Sequence, residues 1–104
     1  MSELVFSSIS GKKTALTLDP TDNVGVALAD LAAGEVCTVI EDNGNEYEIG
    51  VIDNIPFGHK FALADFEKNQ AVIKYGEEIG KMKESIQKGG WIHNHNMYCD
   101  RGMK

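Results

Sequence analysis

Residues 91 to 97 read WIHNHNM, with two histidines and two asparagines in alternation. On a strand, residues two apart point to one face, so His93 and His95 should project together with Trp91 while Ile92, Asn94 and Asn96 face the other way. Two imidazoles at that spacing can chelate a divalent ion, offer hydrogen bonds to a carboxylate, or simply end a polar strand. A catalytic metal usually takes three or more protein ligands. No adjacent Asp, Glu or Cys supplies the third.

A second constellation is Pro56-Phe57-Gly58-His59-Lys60. Pro fixes one backbone angle and Gly frees another, so the turn presents His59 and Lys60 at the mouth of the following strand. Lys60 would pair with an anionic substrate. His59, of a residue type that titrates near neutrality, could shuttle a proton or coordinate a metal. The competing reading is a solvated surface turn. Lys74, in VIKYGEEIG, is a further anion contact or only a snorkelling lysine, with Val72, Ile73, Tyr75 and Ile79 as core and Gly76 and Gly80 at turn and close-packing positions. Asp22-Asn23 should cap a helical turn. Cys37, inside an alternating run, reads as a small core residue rather than a nucleophile.

The elements that must position these groups are short alternating runs: TALTL (14 to 18), EVCTVIED (35 to 42), EYEIGVID (46 to 53), HKFALA (59 to 64), AVIKY (71 to 75) and WIHNH (91 to 95). They are rich in β-branched and aromatic residues and end in turn formers, so the fold class is mainly β. EVCTVI and EYEIGVID should form a hairpin around Asp42-Asn43-Gly44-Asn45, with the acidic residues of 41 to 53 on its solvated face. VGVALADLAA (24 to 33) and KMKESIQK (81 to 88) make at most short helical turns. A degenerate repeat runs through ALADLAAGEV (27 to 36), ALADFEKNQAV (62 to 72) and SIQKGGWI (85 to 92). Gly34, Asn69 and Gly89 are residue types that accept a left-handed backbone, so each copy predicts the same helical turn, sharp stop and strand entry.

A chain of 104 residues is the size of one domain. Its charge of -6, from 16 acidic and 10 basic residues with no basic run, disfavours nucleic acid as a partner. Two cysteines far apart, Cys37 and Cys99, support neither a zinc ribbon nor a dithiol site and fit a reducing cytoplasmic compartment. No stretch reaches the roughly 20 apolar residues that span a bilayer, and no signal-peptide pattern opens the chain, so no membrane association is expected.

DNVGVALADLAAGE (22 to 35), IPFGHKFALADF (55 to 66), VIKYGEEIGK (72 to 81) and I-x-x-G-x-W-I-H-x-H-N (86 to 96) follow one another in an order and spacing that resemble the N-terminal SAF-type domain of the altronate and galactarate dehydratase family. The resemblance runs from about Asp19 to Asn96. It departs from the family's pattern at Asn69-Gln70, where Gly-Glu is more typical, and at Asn94, where Val or Thr is more usual.

The resemblance implies a β-clip (SAF-type) fold and the small subunit of a lyase, a hydro-lyase dehydrating a sugar acid such as altronate or galactarate. It also implies a separate large dehydratase subunit that carries the catalytic bulk, so the chain should be inactive alone. His59, His93 and His95 would then line a shared catalytic site, with Lys60, Lys74 and Asn96 toward the acid. A divalent metal, Fe or Mn, would sit on His93 and His95. The chain's end after MYCDRGMK suits a separately encoded subunit or a piece of a longer enzyme, and homo-oligomerisation stays open. Two alternatives stand beside this reading: a non-catalytic carbohydrate or sugar-acid binding module, and the small subunit of a sulfolactate sulfo-lyase.

Overall fold

A computed structural model describes residues 12–99. Nine strands lie among these residues: β1 (Lys13–Leu16), β2 (Val24–Ala27), β3 (Val36–Ile40), β4 (Glu46–Gly50), β5 (Lys60–Ala62), β6 (Ala71–Lys74), β7 (Glu77–Met82), β8 (Trp91–Ile92) and β9 (Met97–Tyr98). Six form one sheet in the order β4-β3-β1-β2-β5-β8, and three form a second, β6-β7-β9. Among the described residues only β1 and β3 pair in parallel. The architecture is the mainly β one expected, but no helix occurs among the described residues. Residues 24–27 are strand β2, and 81 and 82 end strand β7, where helical turns were expected. Val24, Val26 and Met82 gain more from burial between strands than a helix too short to be stable could return.

The repeat is real, and it has four copies rather than three. Leu31, Ile55, Phe66 and Ile86 each begin a corner that ends in a left-handed residue: Gly34 (φ 93°), Gly58 (φ 83°), Asn69 (φ 71°) and Gly89 (φ 89°). The corners interlock in pairs. Leu31 and Ile55 exchange both backbone hydrogen bonds, each 2.8 Å, and Phe66 and Ile86 do the same at 2.8 and 3.1 Å. Each left-handed residue then donates its N–H to the strand entering the partner corner: Gly34 to Val51, Gly58 to Ala27, Asn69 to Met82 and Gly89 to Ala62, all at 2.8 Å. The unrecognised copy is IDNIPFGHK, 52 to 60, whose Pro and His disguised it.

Side chains lock the pairs together. Asp30 Oδ1 accepts from the Phe57 N–H, Asn54 Oδ1 from Ala33 and Asp65 Oδ1 from Lys88, at 2.8 to 2.9 Å. One core lies inside the first pair, around Leu31, Val39, Ile49, Ile55 and Phe61, with Trp91 and Leu63 at its edge. The other lies inside the second pair, around Val24, Phe66, Val72, Met82 and Ile92.

The Asp42–Asn45 hairpin forms between β3 and β4 as expected, its residues 42 to 48 exposed. A second hairpin, β6-β7, turns on Tyr75 (φ 54°) and Gly76 (φ 81°), two successive left-handed residues of the kind a two-residue hairpin demands. Tyr75 is therefore 40% exposed at a turn tip and not in the core. Gly80 does pack closely: a Cβ there would strike the Tyr98 carbonyl. Asp22 and Asn23 cap no helix. Asp22 accepts from Leu18, Asp19 and Gly76, and Asn23 bonds Ile73 and Ala71, so the pair ties the second hairpin to the first sheet.

Candidate functional site

The chain passes from β8 in the first sheet to β9 in the second through His93–Asn96, so HNHN is a connection between sheets and not a strand. The strand expected over 91 to 95 stops at Ile92. Asn96 causes this. Its side chain is buried, with Oδ1 accepting from the His93 N–H (3.0 Å) and Nδ2 donating to the Trp91 carbonyl (2.9 Å), while the His93 carbonyl accepts from both Asn96 and Met97. The Lys83 ammonium holds the outside of the turn through the Asn94 carbonyl. An amide engaged at both ends shapes the site from beneath, whereas the sequence had placed Asn96 against the acid.

The three histidines nevertheless come together. Phe61 pairs with Trp91 across β5 and β8, which puts positions 59, 61, 91 and 93 on one face. The rings of His59 and His93 lie 4.7 Å apart, centre to centre. Trp91 is the hub: its indole stacks on His93 (5.7 Å, 9° between planes), tilts against His95 (4.9 Å), and donates its Nε1–H to His59 Nδ1 at 3.2 Å. The Trp91 backbone N–H is fixed in turn by Asp53. Sequence reasoning placed Trp91 beside the histidines but gave it no part. The signal was an indole two residues before a histidine on a strand.

Why His59 is free to join follows from the corners. In the first and third, the residue after the left-handed position is Glu35 or Gln70, and its side chain accepts from the N–H at Ala32 or Glu67 (2.8 and 2.9 Å). The second corner has Pro56 at that donor position, which has no N–H to satisfy. Residue 59 is released from capping, and an imidazole stands there instead.

His59 and Lys60 do not act side by side. Lys60 pairs with Ile92 and Val26, so the pleat sends it to the opposite face from His59, toward the second core. There it is half-buried, and burial, with the charge of Lys74 second, holds its ammonium below the ordinary lysine value. Lys74, half-buried on β6, also lies over the Tyr75 ring, 5.2 Å from its centre. His93 is lowered too, first by desolvation and then by the charges of His59, Lys60 and His95. The charge of Lys60 is thus felt at His93, and among the described residues no carboxylate forms an ion pair with the three imidazoles.

Among the described residues no three His, Cys, Asp or Glu side chains converge where a metal ion would sit. His93 and His95 furnish two donors, which is fewer than a resident Fe or Mn site takes from protein. A surface hollow of about 470 Å³, lined by Lys13, Leu31, Asn54, Ile55 and Pro56 among others, lies at the first pair of corners, apart from the imidazoles, and carries no histidine. Cys37 is core: burial pushes its thiol up to about 11, which makes it a poor nucleophile at neutral pH. No helix of the described residues is long and apolar enough to cross a membrane.

Residues 13–100 match the family model described as the altronate/galactarate dehydratase SAF domain. The alpha subunit of (2R)-sulfolactate sulfo-lyase from Chromohalobacter salexigens is 36% identical over 85 residues, covering 80% of this chain and 90% of that subunit. Altronate dehydratase from Escherichia coli is 45% identical over 75 residues, covering 72% of this chain but 14% of the enzyme. Galactarate dehydratase (L-threo-forming) from the same organism is 40% identical over 74 residues and 13% of its length. The order of the motifs, the interlocked corners and the match across most of the chain agree: this protein belongs to the altronate/galactarate dehydratase SAF-domain family.

Proposed function

We propose that the chain is the small subunit of a hydro-lyase that dehydrates a sugar acid, contributing His59, His93 and His95 to a site shared with a separate large subunit, in the cytoplasm. The observation that carries this is the gathering of three imidazoles from two distant segments around Trp91, in a field that Lys60 makes more positive. Dehydration beside a carboxylate needs a base for the α-proton, a cation for the enediolate that develops and an acid for the departing hydroxide. His93, held below the ordinary histidine value, is unprotonated at neutral pH and suited to accept a proton. Lys60, on the far face of the strand, contributes to an anion's approach only through its charge, which reaches His93. The chain by itself supplies too few convergent groups for all three tasks, and the large subunit provides the remainder. If instead a divalent ion serves as the cation, His93 and His95 would be its donors from this side, and the partner would supply both the remaining ligands and the base.

Co-purification with a large dehydratase subunit tests this. The complex should dehydrate altronate or galactarate, and neither chain should do so alone. Activity that survives intact when His59, His93 and His95 are all replaced by Ala would sink the assignment, while acid binding by the isolated chain with no turnover in any complex would make it a binding module.

A second reading draws on the alignment with sulfo-lyase alpha subunits, which reaches 90% and 97% of their length. The same imidazoles would then serve a lyase that expels sulfite from sulfolactate. Sulfite release by the complex, with no dehydration of sugar acids, distinguishes the two.

A further inference from the structure

His59 has two ring nitrogens, and the structure commits one of them. Trp91 Nε1–H, a donor that can never accept, points at His59 Nδ1 from 3.2 Å. A nitrogen receiving that hydrogen bond presents a lone pair, so a neutral His59 must carry its proton on Nε2. Trp91 is itself engaged on several sides: its backbone N–H bonds Asp53, its carbonyl accepts from Asn96, and its ring contacts His93 and His95. The absence of a cap-accepting duty at residue 59, because Pro56 has no N–H, leaves the His59 ring free to take this orientation.

We infer that Trp91 is a positioning residue that locks His59 in the Nε2–H tautomer, so that His59 meets the substrate as a hydrogen-bond donor to an oxygen and serves neither as proton acceptor nor as metal ligand. This rests on the proposed site and divides its labour. His59 donates to a carboxylate or developing oxyanion, and proton acceptance falls to His93, whose ring makes no hydrogen bond with Trp91 among those formed by the described residues.

The tautomer can be read directly in the full chain without substrate or partner. In a long-range ¹H–¹⁵N spectrum at about pH 8.5, two units above the ordinary histidine value, His59 should show a protonated Nε2 and an unprotonated Nδ1. Trp91→Phe keeps an aromatic ring but removes the donor, and His59 should relax to a mixture of tautomers. A protonated Nδ1 in the wild-type chain overturns the inference with no variant needed, as does a Trp91→Phe spectrum in which His59 is unchanged. In the complex with the large subunit, His59→Gln keeps an N–H near the Nε2 position and should retain at least tenfold more activity than His59→Ala. Equal activities of these two variants overturn the donor role. The spectrum stands whether or not the complex dehydrates anything, so a wrong tautomer and a wrong function give separate failures.

Discussion

The first and second corners share one backbone and differ in what sits at two positions. Ala32 and Glu35 in the first close a local cap, side chain to N–H, at 2.8 Å. Pro56 and His59 in the second make no such cap, and the freed imidazole turns to Trp91. Identical geometry is thus stabilised locally in one copy and opened to the site in the other. A proline at the donor position removes the need for the cap, and the side chain at position 59 makes a long-range contact with Trp91 instead.

The largest effect that sharpens this comparison concerns the glycines that turn three of the four corners. Gly34 and Gly89 have nearly the same φ, but a Cβ on Gly34 meets open space and one on Gly89 runs into the Gly50 carbonyl. Gly89→Ala should therefore cost on the order of 3 kcal/mol or prevent folding, left-handed strain and overpacking together, and Gly34→Ala about 1 kcal/mol. Urea unfolding of both variants decides it, and equal losses would show the corners to be more alike than described.

His93→Ala should lower activity of the complex about 100-fold, the scale of losing one proton-transfer group, while the unfolding midpoint of the chain barely moves. A drop in stability that matches the drop in activity would make His93 a packing residue. Asn96→Ala should do the reverse in the first instance, removing two hydrogen bonds beneath the turn at a cost of about 2 kcal/mol and lowering the Tm by about 10 °C. Thermal unfolding followed by circular dichroism measures it.

The comparison is broken most directly by converting the second corner into the first. Pro56→Ala restores the N–H, and adding His59→Glu restores the cap, so the double variant should be about 0.5 to 1 kcal/mol more stable than Pro56→Ala alone. It should also lose activity in the complex. No stability difference between the two would show that the cap contributes nothing.

The smallest effect is a pH dependence. His93 is lowered in the folded chain by desolvation and then by His59, Lys60 and His95. As pH falls through the ordinary histidine value near 6.5, the unfolded chain takes this proton first, so folding stability declines from there down to the folded value and then levels. Replacing His93 by Asn should flatten that decline in urea midpoints measured from about pH 8 to 5.

The hairpin at Asp42–Asn45, the solvated acid face and the buried Cys37 were legible because each follows from a few neighbouring residues: Asn-Gly for the turn, alternation for the strand. The β6-β7 hairpin was not, because Tyr75-Gly76 lacks the usual first residue, and an aromatic in a left-handed conformation runs against local preference. Strand β2 hid among alanines and leucines that read equally well as helix. Lys60 was wrongly coupled to His59 because adjacency in sequence means opposite faces once the segment is a strand.

By itself the sequence determined the family, the mainly β class and which side chains can carry protons or charge, since these reside in residue types and their spacing. Tertiary structure alone decided that a fourth corner exists and that His59 reaches His93 across 34 positions, counting from 59 to 93. It also decided that the Asn96 amide is engaged at both ends within the 93–96 turn and that the Trp91 indole hydrogen-bonds His59. These depend on which strands pair and in what register, and pairing is fixed by burial summed over the whole chain, which no local stretch of residues contains.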